Sequence, residues 1–269
     1  MKTPYKYALI GGLVALILIS FLVEVKGILL PFVLAFVLAM SAMSACAKTE
    51  DAAMTYAQFE AAAVQSKVTV DTYVQAKQGW WEDNGVGVAS FYTQNEDGAY
   101  FLYNMPCSKE DYDKLVPGTK IRVNGVKSMW PEVNGEIEIT EATYKIDTSK
   151  TWIASAKDVT SLLGTDALIK EMNKFVSFKG MTVEAYNDKG DAFNYKWDGS
   201  GKQGDDLYFK VSVGGKTYTF TVESYLCGKD TDVYKAVEAL KVGDKIDLEG
   251  FLYWYEGVNP HITSVAAAK

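Results

Sequence analysis

The chain opens on two apolar runs and then changes character. Ala8-Leu-Ile-Gly-Gly-Leu-Val-Ala-Leu-Ile-Leu-Ile-Ser-Phe-Leu-Val23 precedes Glu24 and Lys26, and Ile28 to Ala45 forms the second run. The first falls slightly short of the ~17–25 residues that a membrane-spanning helix needs. From Ala47 onward the pattern becomes short alternating stretches closed by turn residues. Val68, Val70 and Val74 alternate with polar neighbours, which predicts a strand with one buried face. Residues 86–92 and 100–105 predict a hairpin across Asn95-Glu-Asp-Gly98. Residues 207–213 and 216–222 predict another around Gly214-Gly215, a strong two-residue turn signal. In it Leu207, Phe209, Val211, Val213, Tyr218, Phe220 and Val222 share one parity and are expected to fill a core. Tyr208, Lys210, Ser212, Thr217, Thr219 and Thr221 take the other face.

Helices are predicted over 55–65, where Ala61-Ala62-Ala63 favours helix on propensity, and over 108–115 and 229–240. In the last, Val233, Val237 and Leu240 fall on one face. Two further short helices are predicted over 158–163 and 166–174, the second capped by Thr165.

The same order of elements occurs twice. Cys107-Ser-Lys-Glu-Asp-Tyr-Asp-Lys-Leu-Val-Pro-Gly-Thr-Lys-Ile-Arg-Val-Asn-Gly125 is paralleled by Cys227-Gly-Lys-Asp-Thr-Asp-Val-Tyr-Lys-Ala-Val-Glu-Ala-Leu-Lys-Val-Gly-Asp-Lys-Ile-Asp-Leu-Glu-Gly250. Gly118 matches Gly243, Gly125 matches Gly250, and Trp130 falls near Trp254. Each copy closes alike, in Glu138-Ile-Thr140 and His261-Ile-Thr263. This is a diverged internal duplication. Each copy runs strand, hairpin, helix and two strands, the order of a five-stranded OB-fold barrel. The predicted fold class is mostly β with short helices: two tandem five-stranded OB-fold-like barrels, each with a helix between strands 3 and 4. The expected segments are an apolar extension (1–24), a leader (25–45), a tether with a short helix (46–65), barrel one (66–146), a helical connector (147–174) and barrel two (175–266).

The second apolar run has the grammar of an export signal. Lys26 supplies the charge, Ile28 to Leu38 the apolar core, and Ser41, Ala42, Ser44 and Ala45 the small residues. Met43-Ser44-Ala45-Cys46 resembles the lipobox of a bacterial lipoprotein, with Met43 where Leu or another aliphatic usually stands. The barrels add Val74-Gln-Ala-Lys-Gln-Gly-Trp-Trp81, Lys114-Leu-Val-Pro-Gly-Thr-Lys-Ile121 and Leu240-Lys-Val-Gly-Asp-Lys-Ile246. With these the chain resembles bacterial exported lipoproteins that carry two tandem OB-like domains. The resemblance implies a fold and a place, the cell envelope, with Cys46 lipidated and the folded part outside the cytoplasm. It implies no activity. Residues 1–24 then read either as a spanning segment or as an extension upstream of a true start near Val25.

Charge narrows the ligand classes. The net charge is −7, and the leader holds Lys2, Lys6 and Lys26 against Glu24 alone, so the remainder is more acidic still. Nucleic acid is therefore disfavoured, because Lys and Arg contacts to phosphate dominate that affinity. Arg122 is the single arginine, so bidentate clamps are scarce. His261 is the single histidine, which rules out a multi-histidine metal site within the chain. Cys107 and Cys227 occupy equivalent places in the copies and read as a buried apolar slot, too few for a disulfide scaffold. The glycine-rich acidic loop 198–206 lacks calcium-loop spacing.

No nucleophile–base constellation stands out, so neither an enzyme nor a cofactor or metal is expected. The candidate contacts are aromatic: Trp80, Trp81, Phe91, Tyr92 and Trp130 in the first copy, Trp254 and Tyr255 in the second. Such rings stack on sugar faces or anchor protein hot spots. Packing at barrel ends or between the domains is the competing role for them. The expected function is a non-enzymatic binding or scaffolding lipoprotein for a glycan or envelope protein. One alternative is a single-stranded nucleic-acid binder, as OB folds often are. The other is an accessory to an envelope enzyme or metal-handling system.

Overall fold

The computed structural model describes residues 52–268. The leader, Cys46 and the position of the start lie outside the described residues. Among those described, no helix is long and apolar enough to cross a membrane.

The first sheet contains β1 (Lys67–Lys77), β2 (Trp81–Asp83), β3 (Val86–Gln94), β4 (Ala99–Pro106), β5 (Thr119–Trp130) and β6 (Glu136–Thr151). It closes on itself in the order β1-β5-β6-β4-β3 and back to β1, with β2 hanging on β3. The second contains β7 (Lys157–Asp158), β8 (Phe175–Glu184), β9 (Phe193–Tyr195), β10 (Leu207–Val213), β11 (Lys216–Val222), β12 (Lys245–Phe251) and β13 (His261–Ala267). Its ring runs β8-β12-β13-β11-β10 and back to β8. In each ring the third and fifth barrel strands pair in parallel: β4 with β6, and β11 with β13. The helices are α1 (Tyr56–Ala61), α2 (Lys109–Lys114) and α3 (Asp232–Glu238). α2 and α3 each stand between the third and fourth strands of their barrel, so the fold is a pair of OB-type barrels.

Alternation explains the cores. Val68, Val70 and Val74 of β1 are buried with Phe91, Leu102, Ile121, Val123 and Ile139. Leu207, Phe209, Val211, Phe220 and Val222 fill the second barrel, while Val213 and Tyr218, near the hairpin end, are only partly buried. That hairpin turns on Gly214 and Gly215, both at positive φ (58° and 77°), a conformation that costs other residues a Cβ clash. The connector differs from expectation. It forms 3₁₀ turns at Thr160–Leu162 and Leu168–Glu171 without side-chain caps, and the Thr165 hydroxyl donates back to Leu162 O at 2.8 Å.

The barrels bury a common aromatic cluster. Tyr92 and Phe101 leave the outer face of barrel one and meet Phe251, with Phe175 and Tyr253 at the edge. Tyr92 stacks on Phe251 at 4.4 Å between centroids. Polar groups complete the seam: Phe175 N–H donates to Gln94 Oε1, Asn173 Nδ2 to Ile137 O, and Trp254 N–H to Glu136 Oε2 at 2.7 Å.

Candidate functional site

An OB barrel offers the outer face of its second and third strands and the loops joining strands one to two and four to five. Here those surfaces of the two barrels converge on one groove of about 750 Å³. Barrel one contributes Gln78, Gly79 and Trp81 from its first loop, and Phe101, Tyr103 and Asn104 from β4. Barrel two contributes Trp197 and Asp206 from its long first loop, and Tyr208 and Thr221 from β10 and β11. Glu223 and Tyr225 follow β11, Tyr253, Tyr255 and Asn259 come from the loop before β13, and His261 begins β13.

The rings are available. Trp197 and Tyr225 are 71% and 72% exposed, and Trp81, Tyr103 and Tyr255 are roughly half exposed. Their loops are tied to one another. Gly79 N–H donates to Tyr225 O at 2.9 Å, and Gln78 Nε2 donates to Glu223 Oε2 at 3.1 Å. Asp206 Oδ1 accepts from the amide and hydroxyl of Ser224 at 2.8 and 2.6 Å.

The groove is acidic or neutral. None of the residues lining it is lysine or arginine. Burial pushes the Glu223 carboxyl up to about 7, and the neighbouring charge of Asp206 adds to the shift. Burial alone pushes His261 down to about 3, so its ring is uncharged near neutrality. Its Nδ1 lies 2.7 Å from the Tyr92 hydroxyl, and Tyr253 stacks on it with centroids 4.4 Å apart.

The seven sequence candidates separate. Trp81 and Tyr255 line the groove. Trp80 packs on the core of barrel one and donates Nε1–H to Cys107 O at 3.0 Å. Trp254 packs on the core of barrel two and donates to Asn134 Oδ1. Trp130 is exposed but lines a separate cavity with Val64, Met129 and Glu132. Phe91 and Tyr92 are corrected outright as ligand contacts, since both are fully buried. Phe91 points into barrel one on the same strand face as Ala89, and Tyr92 is covered by barrel two.

Sequence reasoning missed Tyr103, Trp197 and Tyr225. Trp197 did carry a signal: a tryptophan inside a glycine- and aspartate-rich loop has no strand face on which to be buried. The cysteines are free and buried, and burial raises their thiols to about 11 (Cys107) and about 12 (Cys227). In the acidic loop Asp198 is occupied by Ser200 and Asp205 by the Lys202 amide. Among the described residues no His, Cys, Asp and Glu cluster is arranged to hold a metal.

No protein-family model matches the chain, and no curated protein matches it. Solved structures do. A murine DNA-binding protein bound with double-stranded DNA matches at 12% identity and a TM-score of 0.34, over 75% of this chain and 96% of that one. The Ifi202 HINa domain in complex with 20-base-pair double-stranded DNA matches at 13% identity and 0.34, over 76% and 100%. A replication protein A heterotrimer bound to single-stranded DNA matches at 12% identity and 0.33, over 82% of this chain and 51% of that one.

The likeness is one of fold. Two expectations are nevertheless corrected: the glycan or envelope-protein scaffold, and nucleic acid as a disfavoured partner. The matched proteins are described with DNA. The charge argument weighs phosphate contacts alone. Net charge reports on phosphate contacts, whereas rings engage bases.

Proposed function

We propose that the groove binds single-stranded nucleic acid by stacking its bases, leaving the phosphates toward solvent. The observation that carries this reading is the set of exposed rings, Trp81, Tyr103, Trp197, Tyr225 and Tyr255, gathered from both barrels around one groove without a cation. Stacking tolerates any sequence because every base has a π face. Binding without catalysis is part of the same reading.

Fluorescence titration of the full chain with single-stranded 12-mers tests it. Trp81→Ala, Trp197→Ala and Tyr225→Ala are each expected to cost about 1–3 kcal/mol per lost stack, roughly 5- to 150-fold in affinity. Few phosphate contacts mean a shallow salt response, less than about threefold between about 50 and 200 mM salt. No binding, or a steep salt slope indifferent to the ring variants, defeats the reading.

We further propose that Cys46 is lipidated and holds the barrels at a bacterial envelope membrane. The lipobox resemblance supports this, and several acyl chains give stable anchoring where one gives only marginal binding. Mass spectrometry of the membrane fraction is expected to find a chain beginning at acylated Cys46. An unmodified chain beginning at Met1 refutes it.

A further inference from the structure

Among its rings the groove holds one hydrogen-bond donor whose identity is fixed by its surroundings. Tyr92 is fully buried, and its hydroxyl has a single partner among the described residues, His261 Nδ1 at 2.7 Å. A buried O–H without an acceptor is costly, whereas a phenol oxygen with an idle lone pair is not, so Tyr92 donates and Nδ1 accepts. A neutral imidazole that accepts at Nδ1 carries its hydrogen on Nε2. His261 is only 6% exposed and lies flat against Tyr253, so the ring is held in place. Nε2 has no partner among the described residues, and the ring lines the groove.

The groove also holds a free acceptor. Ser224 occupies Oδ1 of Asp206, and Oδ2 has no partner among the described residues. Glu223, the second carboxylate there, is already engaged by Gln78 and by the amides of Tyr225 and Leu226.

Resting on the reading of the groove as a base-stacking site, we propose that it selects cytosine over thymine and uracil, with Asp206 Oδ2 accepting from the N4 amine and His261 Nε2–H donating to N3, an acceptor in cytosine and an N–H in thymine and uracil. The pyrimidines stack alike and differ at this edge. Cytosine presents an amine donor where thymine and uracil present the O4 acceptor, which a carboxylate repels. Carboxylates that accept from cytosine N4 are an established base contact.

The test compares dC12 with dT12 on the full chain by tryptophan fluorescence at low salt and pH about 7.5. The wild-type chain is expected to prefer dC12 by about tenfold. Asp206→Asn keeps an oxygen for Ser224 and turns the free position into a donor, so the preference is expected to vanish or reverse in favour of dT12. His261→Phe keeps the stacked ring and lowers dC12 affinity while leaving dT12 within about twofold. Thermal melts of both variants show whether the fold is retained, and Asp206, only partly buried, carries the test if His261→Phe fails to fold. If neither oligomer binds, the stacking reading itself falls. If both bind equally and Asp206→Asn leaves their ratio unchanged, or if dT12 binds tighter, base selection falls while stacking stands.

Discussion

Gly250 sets how closely β12 approaches the start of β13, where His261 stands. A methyl group there would lie 2.2 Å from His261 O and 2.8 Å from Ile262 Cα. The register slips at this point, between Glu249 and Gly250. Its counterpart Gly125 sits at the equivalent slip in barrel one, where a methyl would lie 2.5 Å from Ile139 Cγ2 and 2.7 Å from Thr140 O. Gly250→Ala is therefore expected to overpack β12 against β13 and cost about 1–3 kcal/mol. Denaturant unfolding at unchanged slope measures it, and a neutral result would mean that the strands part freely. The repeat showed that these glycines correspond, but not why, because the reason is the carbonyl of a distant strand. Alternation likewise breaks in β4, where Leu102 and Met105 both face the core. The extra residue in β4 and the positive φ of Asn104 (43°) depend on pairing across the hairpin. Adjacency was more informative: of Trp80 and Trp81, one packs on the core and the other faces the groove.

Elements whose identity is local were legible. The hairpin of β10 and β11 lies over the residues that alternation and Gly214-Gly215 mark, in the register Leu207↔Val222 to Val213↔Lys216. α3 is capped by Thr231 and α2 by Ser108, whose hydroxyls accept the amides of Tyr234 and Asp111. α1 begins on a capping box between Thr55 and Gln58, yet it ends at Ala61 despite the alanines that follow. The cause lies far along the chain. Lys127 Nζ reaches from β5 to donate to the carbonyls of Phe59, Glu60 and Ala62 at 2.8–2.9 Å, closing the helix end. The far end of β6 was hidden for the opposite reason. Thr119 pairs with Thr151 and Lys120 with Asp147, so backbone bonds and the Lys120–Asp147 ion pair at 2.8 Å hold a segment with little apolar burial. A strand of that kind leaves no hydrophobic period to read. The connector's apolar residues, Val159, Leu163 and Leu168, do join the second core, but from 3₁₀ turns and not α-helices.

Across the whole molecule the two barrels share a seam that buries ionisable groups, and its protonation sets how stability depends on pH. Burial holds the Glu136 carboxyl well above its ordinary range and raises those of Glu138 and Glu223 to about 7. From about pH 4.5 to 7 the folded chain keeps protons on these groups that the unfolded chain releases, so their stabilising contribution is lost as pH rises through that window. His261 acts in the other direction. Its folded pKa of about 3 lies below the ordinary 6.5, so its contribution is present above pH 6.5 and is lost as pH falls toward 3. Asp71 and Asp147 are depressed by Arg122 and Lys120 and act only at the acid extreme. Near pH 6.5 the unfolded imidazole binds only about half a proton, less than the raised carboxylates hold in the folded chain, so the carboxylates set the sign of the slope. The melting temperature is therefore expected to fall between pH 6 and 8. For a chain of this size about 1 kcal/mol corresponds to roughly 2–4 °C. Glu136→Gln isolates the seam, since its amide oxygen still accepts from Trp254 N–H while the group can no longer ionise. Calorimetry across pH 6–8 is expected to show a shallower decline for the variant. An identical decline would place the pH dependence outside the contact between the barrels.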